Sequence, residues 1–325
     1  MSDSPILVTG PDRSGTSLMY ALLGSHSNIS MSRRTNMWRW FYDKYGDLSR
    51  SANFENCLQT MMRYERMQQL QPDEDRIRDE FRQGAPSYGA LFALIHEHLA
   101  ERRGKGRWGD KSLHTEHHAN QVFREFPSAK MIHMMRDPRD RYASILKRYD
   151  RPQKGVAPAC GRWLASTWAA GRNVRHYPDG YMVVRYEDLA ARTEETLKAV
   201  CAFLGEPYES SMLSMGGAPD HGAIGGNSSF GRIDPGTIST RSIGRFRVVL
   251  EPEEIASIQM SCGRYLKKYG YSAGATGLSR RKRSAFMVKD VPLTSIRIAG
   301  WITVDKMNEL RGRTVPERRL TDVNR

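Results

Sequence analysis

Short apolar runs, separated by segments of helical periodicity, dominate the pattern of hydrophobic and polar positions along the chain. Three such runs lie at residues 5–9, 129–135 and 181–185, and helical patterns separate them. Buried strands of a parallel sheet are typically continuous apolar runs, and the helices between them make right-handed crossovers. The pattern therefore predicts an α/β fold in which helices flank a parallel sheet.

A long insertion, residues 32–106, separates the first two runs and carries no strong strand pattern. Met and aromatic residues recur at helical spacing over 54–67 and again over 88–99, which is typical of helix faces that pack into a core. We therefore expect a helical insertion above the carboxyl edge of the sheet, where open α/β folds bind ligands. His96 and His98 cannot share a helix face, and we expect both at the surface.

The chain after the third run divides into a loop and a helix. Residues 216–244 contain few apolar side chains and predict a long loop, which in compact domains is usually functional or disordered. A helix is predicted from Glu251 to about Lys268, because Pro and acids occupy its first turn and lysines its last.

Positive charge is concentrated at the C-terminal end. The 325 residues carry a formal net charge of +14, and residues 276–325 hold twelve Lys and Arg against five Asp and Glu, a balance of +7. We expect an α/β domain at 1–272 and a basic extension at 273–325. The cluster at 279–284 is expected to be solvated, with a membrane surface or an anionic partner as the alternative and no specific nucleic acid.

The cysteines and the apolar runs bear on the compartment. No Cys-x-x-Cys pair and no metal-finger spacing occurs among Cys57, Cys160, Cys201 and Cys262. We interpret them as reduced, packed thiols, which suits a cytosolic protein. No basic-then-apolar leader precedes the first run, and no apolar stretch approaches the roughly 20 residues that span a bilayer. These features predict a cytoplasmic location.

The segment directly after the first apolar run predicts an anion site. It reads Gly-Pro-Asp-Arg-Ser-Gly-Thr-Ser over residues 10–17 and precedes an amphipathic stretch. Backbone N–H groups of such a loop and of the first helical turn lack partners within the helix, and the helix dipole favours an anion there. Arg13 adds a cationic fork. A nucleoside-triphosphatase loop has Lys after its second glycine, whereas Thr16 follows Gly15, so the loop predicts a phosphate site without ATP hydrolysis.

A second cationic position follows the run 129–135. Arg136 stands at the end of this predicted strand, and Ser144 comes eight positions later in the next predicted helix. The carboxyl ends of strands face the crevice in which open α/β sheets bind ligands. We therefore expect Arg136 and Ser144 to reach the same oxyanion.

Together these segments resemble the sulfotransferases that use 3′-phosphoadenosine 5′-phosphosulfate (PAPS) and release 3′-phosphoadenosine 5′-phosphate (PAP). The resemblance spans roughly residues 5–272, with its motifs in the expected order. It implies a P-loop-like fold in which Arg136 and Ser144 hold the 3′-phosphate. The residues that it assigns to the 5′-phosphosulfate are Arg13, Ser14, Gly15, Thr16 and Ser17.

The resemblance assigns further residues to the nucleotide and to the sulfuryl group. Tyr186, in Tyr-Glu-Asp-Leu after the third run, matches an adenine-contacting Tyr, and Lys111, in Trp-Gly-Asp-Lys-Ser, matches a Lys near the sulfuryl group. The loop 216–244 matches a segment that closes over the nucleotide. Its candidates for contact with the 3′-phosphate are Arg241, Arg245 and Arg247.

The chemistry implied by this resemblance needs positive charge and little else from the protein. Sulfuryl transfer, like phosphoryl transfer, is an in-line displacement through a loose transition state. Arg13, Lys111 and the loop amides would stabilise its equatorial oxygens. We expect no metal: His114 and His118 have the spacing of a metal pair on a helix, but no third ligand is evident.

The general base is the open part of the catalytic assignment. Leu113 stands where cytosolic members of the family have their His, and arginines stand where tyrosylprotein members have their Glu. His114 is the best candidate for the base, and Asp110 either takes the proton or orients Lys111. The remaining candidates are Glu116 and His118.

Three classes of function stay open on the sequence. The first is a PAPS-dependent sulfotransferase that acts on a hydroxyl of a glycan, a glycolipid or a secondary metabolite. The second is a P-loop kinase-like phosphotransferase for small molecules, and the third is a basic binding protein that retains the fold without catalysis. The missing Lys after Gly15 disfavours the second. The sequence identifies neither the acceptor nor the oligomeric state.

Overall fold

Five parallel strands form the centre of the protein. The computed structural model describes residues 4–148, 155–218, 234, 237–278, 292–304, 307 and 315–320. The strands are Ile6–Thr9 (β1), Ile29–Arg33 (β2), Arg107–Lys111 (β3), Lys130–Met135 (β4) and Tyr181–Arg185 (β5). They lie in the order β2-β3-β1-β4-β5, and all neighbours are parallel. The predicted α/β fold with a P-loop-like parallel sheet is confirmed.

The sequence pattern predicts β1, β4 and β5 and misses β2 and β3. The two missed strands read Ile-Ser-Met-Ser-Arg and Arg-Trp-Gly-Asp-Lys, so neither is a continuous apolar run, yet nearly all of their side chains are buried. Their polar groups find partners inside the protein: the Ser32 hydroxyl of β2 donates to Asp110 Oδ1 of β3 at 2.8 Å. Such long-range pairing satisfies buried polar groups that periodicity alone cannot assign.

Helices cover both faces of the sheet and form the predicted insertion. Those between β1 and β3 are Thr16–Gly24 (α1), Met37–Trp40 (α2), Ser51–Arg63 (α3), Glu65–Gln68 (α4), Glu74–Gln83 (α5) and Tyr88–Arg102 (α6). The later ones are Ala119–Glu125 (α7), Pro138–Arg148 (α8), Val156–His176 (α9), Tyr186–Ala191 (α10), Thr193–Leu204 (α11), Phe246–Val249 and Pro252–Lys268. The last of these confirms the predicted helix, and a capping box of Glu251 and Glu254 fixes its start.

The two faces of the sheet pack into different cores, and this separates two neighbouring residues of β3. Leu7 of β1 packs with the helical insertion, whereas Val8 packs with α1 and α11. The register of the sheet pairs Asp110 with Leu7 and Lys111 with Val8. Because successive strand side chains alternate between faces, Asp110 faces the insertion and Lys111 faces α1.

The expectation that His96 and His98 lie at the surface is wrong, since each is only 1 % exposed. Helix α6 packs on two sides. His96 binds the Ser32 hydroxyl through Nε2 at 2.9 Å on the sheet side, and His98 Nε2 lies 2.9 Å from Glu80 on α5. Burial lowers the pKa of His96. A single amphipathic face therefore does not describe this helix.

The C-terminal extension packs against the α/β domain at two places. Ile298 lies in the core beside α9, and Val315 lies in the core of the insertion. Trp301 covers Gly161 of α9, where an added Cβ would lie 2.5 Å from the indole ring. The basic cluster 279–284 and most of the loop 216–244 lie outside the described residues.

Two further sequence expectations concern the cysteines and the membrane. All four cysteines are buried, as expected for packed thiols. Among the described residues, no helix is both long enough and apolar enough to cross a membrane.

Candidate active site

The loop between β1 and α1 has a backbone that only glycine fits at its two ends. Gly10 has φ +130°, and a Cβ there would lie 2.4 Å from the carbonyl oxygen of Met134 in β4. Gly15 has φ +90° and caps α1. Arg13 between them also has a left-handed backbone, at φ 63°. Strained backbone of this kind concentrates at ligand sites, and the N–H groups of the first turn of α1 point into this loop.

Tyr186, the predicted nucleotide contact, lies directly against this loop. It is the first residue of α10, which follows β5 without a linker. A Cβ on Gly15 would lie 2.5 Å from Tyr186 Cδ2. The Arg136 guanidinium stacks on the same ring, with Cζ 4.5 Å from the ring centroid. Tyr186 thus joins the phosphate loop to the second cationic position.

The two anion positions that the sequence predicts meet in the structure. Arg13 Nε donates to Ser144 Oγ of α8 at 3.0 Å, and Arg136 Nη1 donates to the Arg13 carbonyl oxygen at 3.1 Å. Ser144 and Arg136 are 1 % and 4 % exposed. Arg136 and Ser144 therefore both contact Arg13.

Two buried polar atoms at this site have no hydrogen-bond partner. They are Ser14 Oγ and Arg136 Nε, two of six such side-chain atoms among the described residues. Such atoms are uncommon in native proteins and call for a missing partner. Ser14 lies in the loop before Gly15, and Arg136 lies beyond Tyr186. The two unsatisfied groups therefore occupy both halves of the predicted nucleotide site.

Ser242 is a site residue that the sequence analysis misses. Its carbonyl oxygen accepts a hydrogen bond from Arg136 Nη2 at 2.7 Å, and its hydroxyl lies 2.6 Å from the Tyr186 hydroxyl. The predicted contacts Arg241 and Arg245 flank it in the chain and are exposed. Only its place between these two arginines could have drawn attention to it.

Asp140 explains how the segment around Ser242 is held. Both of its carboxylate oxygens accept backbone N–H bonds, from Gly244 at 2.6 Å and from Phe246 at 2.9 Å. Burial raises the pKa of Asp140. In the sequence Asp140 is an ordinary acidic residue in the first turn of α8. Its partners Gly244 and Phe246 lie more than a hundred positions later in the chain, so local sequence does not predict these contacts.

A buried ion pair fixes the other side of the phosphate loop. Arg141 of α8 is fully buried; it forms an ion pair with the Asp12 carboxylate and donates through Nε to the Asp12 carbonyl oxygen at 2.8 Å. Burial alone would raise the pKa of Asp12, but Arg141 reverses this and the pKa is lowered. The loop is therefore held from α8 at Asp12 as well as at Arg13.

Lys111 and Asp110 have different surroundings, which separates their roles. Lys111 is 3 % exposed at the end of β3 and faces α1, the helix that the phosphate loop opens. Both Asp110 oxygens are already occupied, by the hydroxyls of Ser32 at 2.8 Å and Ser112 at 2.6 Å. Asp110 faces the insertion and ties β2 to the turn after β3. Both carboxylate oxygens of Asp110 are thus used within the protein, at the strand end that carries Lys111.

His114 lies beside the phosphate loop in a left-handed conformation, at φ 68°. Burial lowers the pKa of His114 to about 4, against the opposing charges of Glu116 and Asp12. The imidazole is therefore neutral at pH 7 and able to accept a proton. Its electrostatic coupling to Asp12, a residue of the loop, is consistent with a position near the transferred group.

Glu116 belongs to a buried polar network that the sequence does not reveal. Oε2 accepts the Thr9 hydroxyl at 2.5 Å and Oε1 accepts the Ser166 hydroxyl at 2.7 Å. Ser166 in turn lies 2.9 Å from His133 Nε2, and His133 Nδ1 lies 2.6 Å from the Tyr181 hydroxyl. Burial alone would raise the pKa of Glu116, but neighbouring histidines outweigh it and hold the pKa well below its usual range.

The structure groups His114 with possible metal ligands other than His118. One ligand atom each of His114, Glu116 and His117 lies within 4.8 Å of the others. His118 is outside this group, and burial, together with the charges of His117 and Arg39, lowers the pKa of His118 to about 4. Two imidazoles and a carboxylate are a donor set that can hold Zn²⁺.

Comparisons with known proteins agree with this geometry. A model of the sulfotransferase family matches residues 5–210, and no curated protein matches the chain. The sulfotransferase domain from the olefin synthase of Synechococcus PCC 7002 has a TM-score of 0.58 and 20 % identity, covering 83 % of this chain and 95 % of its own. The sulfotransferase domain from the curacin biosynthetic pathway has a TM-score of 0.55 and 18 % identity, covering 83 % and 99 %.

A parallel sheet in this order, with a glycine-bounded phosphate loop that lacks the triphosphatase lysine, defines a P-loop-like α/β protein whose site is built for anions. The two similar structures share that fold. With the family model matching well over half of its residues, the chain belongs to the sulfotransferase family.

Proposed function

We propose that this protein is a sulfotransferase that moves a sulfuryl group from PAPS to an acceptor hydroxyl and releases PAP. The observation that carries the proposal is the junction of Arg13, Ser144 and Arg136, with unsatisfied Ser14 Oγ and Arg136 Nε on either side of Tyr186. An adenosine with phosphate groups at both its 3′ and 5′ positions would satisfy both buried atoms at once.

The nucleotide would be divided between two parts of the site. Ser14, Thr16, Ser17 and the first amides of α1 bind the 5′ end, where the helix dipole favours negative charge. Arg136 and Ser144 would bind the 3′-phosphate, since both are buried and both contact Arg13. A charge-assisted bond to a guanidinium is worth roughly 1.5–3 kcal/mol, enough to make the 3′-phosphate a strong selector.

Arg13 and Lys111 would stabilise the transition state. Charge develops on the bridging and sulfuryl oxygens as the bond from sulfur to the PAP phosphate oxygen breaks and the bond to the acceptor oxygen forms. Arg13 is fixed by Ser144, and Lys111 is buried at the strand end next to the loop. Fixed cations in a site that excludes water need no reorganisation during the reaction.

His114 would accept the acceptor proton on a ring nitrogen late in the transfer. Its pKa, lowered to about 4, keeps it neutral in the resting enzyme. Glu116 stays ionised next to it and would stabilise the imidazolium that forms. The alternative base Glu116 is disfavoured, because both of its oxygens already accept hydroxyl hydrogen bonds.

The acceptor class proposed from the sequence is a hydroxyl of a glycan, a glycolipid or a secondary metabolite. Calorimetric titration with PAP, with adenosine 5′-monophosphate and with ATP, each once with EDTA and once with Mg²⁺, tests the donor site. We expect PAP to bind at least tenfold more tightly than the other two.

³⁵S-labelled PAPS with a panel of hydroxyl compounds then tests transfer. PAP binding without turnover on any acceptor would favour the non-catalytic alternative, and Mg²⁺-dependent preference for ATP would favour the kinase-like one.

A further inference from the structure

The loop after β2 is strained and is bonded to the strand end that carries Lys111. Arg34 and Asn36 both have left-handed backbones, at φ 62° and 52°. Arg34 N donates to the Lys111 carbonyl oxygen at 2.8 Å, and Asn36 N donates to Ser112 Oγ at 3.0 Å. Non-glycine residues hold such conformations only when the surrounding contacts impose them. The geometry of this loop therefore depends on whatever fixes Arg34 and Asn36.

One hydroxyl fixes both residues. Tyr64, at the end of α3, is fully buried. Its hydroxyl donates to the Arg34 carbonyl oxygen at 2.8 Å and accepts from Asn36 Nδ2 at 3.1 Å. Trp40 packs edge-on against the Tyr64 ring, with centroids 5.3 Å apart. Tyr64 is therefore the link between the insertion and the strained loop.

The C-terminal extension packs against Tyr64. Leu320 forms an antiparallel bridge with Tyr64, more than 250 positions earlier in the chain. Arg319 stacks on Trp40, with Cζ 5.2 Å from the ring centroid, and its positive charge acts to lower the pKa of Tyr64, against the rise that burial causes. Val315 is 5 % exposed in the core of the insertion. The last described segment of the chain thus contacts both Tyr64 and Trp40, which packs against the Tyr64 ring.

From these contacts we infer that segment 315–320 of the extension acts as a positioning element for acceptor binding. It holds Tyr64, and through the Tyr64 hydroxyl it holds Arg34 and Asn36 against the end of β3. The role in acceptor binding rests on the proposed sulfotransferase function. Lys111 lies at that strand end and His114 lies in the turn after it, and both have a proposed role in the transfer. The nucleotide half of the site has no contact with this segment among the described residues, so the effect is specific to the acceptor side.

Hydrogen exchange of the backbone amides tests the structural part without any acceptor. We expect Arg319→Ala and Tyr64→Phe each to reduce the protection of the Arg34 and Asn36 amides about tenfold, as loss of one hydrogen bond implies. The double variant should lose little more than either single one, because both act through the same hydroxyl. Arg297→Ala is the matched control: it removes the same charge from an exposed position of the extension and should leave these amides unchanged.

Two readouts separate this inference from the proposed function. PAP affinity should be equal in wild type, Arg319→Ala and Arg297→Ala. With para-nitrophenol as the probe acceptor, Arg319→Ala should raise the acceptor KM several-fold with kcat and the PAPS KM little changed. Unchanged protection at Arg34 and Asn36 in both Arg319→Ala and Tyr64→Phe would overturn the inference, as would an equal loss of protection throughout α1. Failure of the wild type to bind PAP would instead overturn the function and leave the exchange result valid.

Discussion

The ring of Tyr186 lies so close to Gly15 that the glycine has room for no side chain: a Cβ there would be 2.5 Å from Cδ2 of the ring. This contact couples the phosphate loop after β1 to the element that follows β5, although β4 separates the two strands in the sheet. Arg136 directly follows β4, the strand between them, and its guanidinium stacks on the same ring. Loop, cation and ring therefore form one unit.

Gly15→Ala should break this unit. The left-handed backbone and the clash with Tyr186 both oppose a Cβ, so we expect PAP affinity to fall more than tenfold. Gly205→Ala is the control, because its φ of +74° imposes the same kind of backbone strain while no atom lies within 4 Å of the added Cβ. It should lower stability by about 1 kcal/mol and leave PAP affinity unchanged. Calorimetric titration of both variants decides; equal affinities would show that the contact with Tyr186 is not needed.

Arg136→Ala should weaken nucleotide binding through the 3′-phosphate alone. Removal of one charge-assisted contact of roughly 1.5–3 kcal/mol predicts a ten- to a hundredfold loss of PAP affinity. Adenosine 5′-monophosphate, which lacks the 3′-phosphate, should bind the variant and the wild type alike. If both ligands weakened equally, Arg136 would act on the loop through its bond to the Arg13 carbonyl oxygen rather than on the ligand.

Lys111→Ala should lower kcat much more than nucleotide affinity. Its proposed partner is the charge that develops on the sulfuryl oxygens only during transfer, so its loss removes transition-state stabilisation. Steady-state kinetics with PAPS, together with PAP titration, measures the two effects separately. A variant with unchanged kcat and only a higher PAPS KM would assign Lys111 to ground-state binding.

The contrast between Arg136 and Ser242 shows which residues of the candidate site can be predicted from the sequence. Arg136 follows an apolar strand directly, and the carboxyl end of such a strand predicts its place. Ser242 reaches the same site through a contact that spans 106 positions, and neither its residue type nor its neighbours specify that contact. The glycines and Arg13 were predictable for the same reason as Arg136: a strand, a loop and a helix follow one another locally.

Burial of polar groups is the part that local patterns did not predict. β2 and β3 are strands although neither is a continuous apolar run, and Ser32 and Asp110 satisfy each other across the sheet. The network from Thr9 through Glu116 and Ser166 to His133 likewise joins four separate elements. A buried carboxylate is tolerated only when its partners are present, and those partners become adjacent only in the folded chain.

This network makes stability depend on pH. Burial lowers the pKa of His133 from 6.5 to about 4 in the folded state. Between these values the unfolded chain binds the proton and the folded protein does not, so stability falls as the pH decreases. From pH 7 to pH 5, His133 alone should cost about 2 kcal/mol. Urea unfolding at both pH values tests this. His133→Gln, which cannot titrate, should have a smaller difference between them, and an equal difference would contradict the assignment.

His114→Ala should lower kcat by roughly a hundredfold while PAP affinity is retained, because the imidazole is proposed to accept the acceptor proton. The base must be neutral, and its pKa of about 4 predicts that kcat/KM of the wild type is constant above about pH 5 and falls as the pH drops through 4. The variant should lose this acidic limb. Asp110→Asn is the comparison: its carboxylate binds Ser32 and Ser112, so it should reduce stability and leave the shape of the pH profile intact. An acidic limb that persists in His114→Ala but disappears in Asp110→Asn would move the base to Asp110.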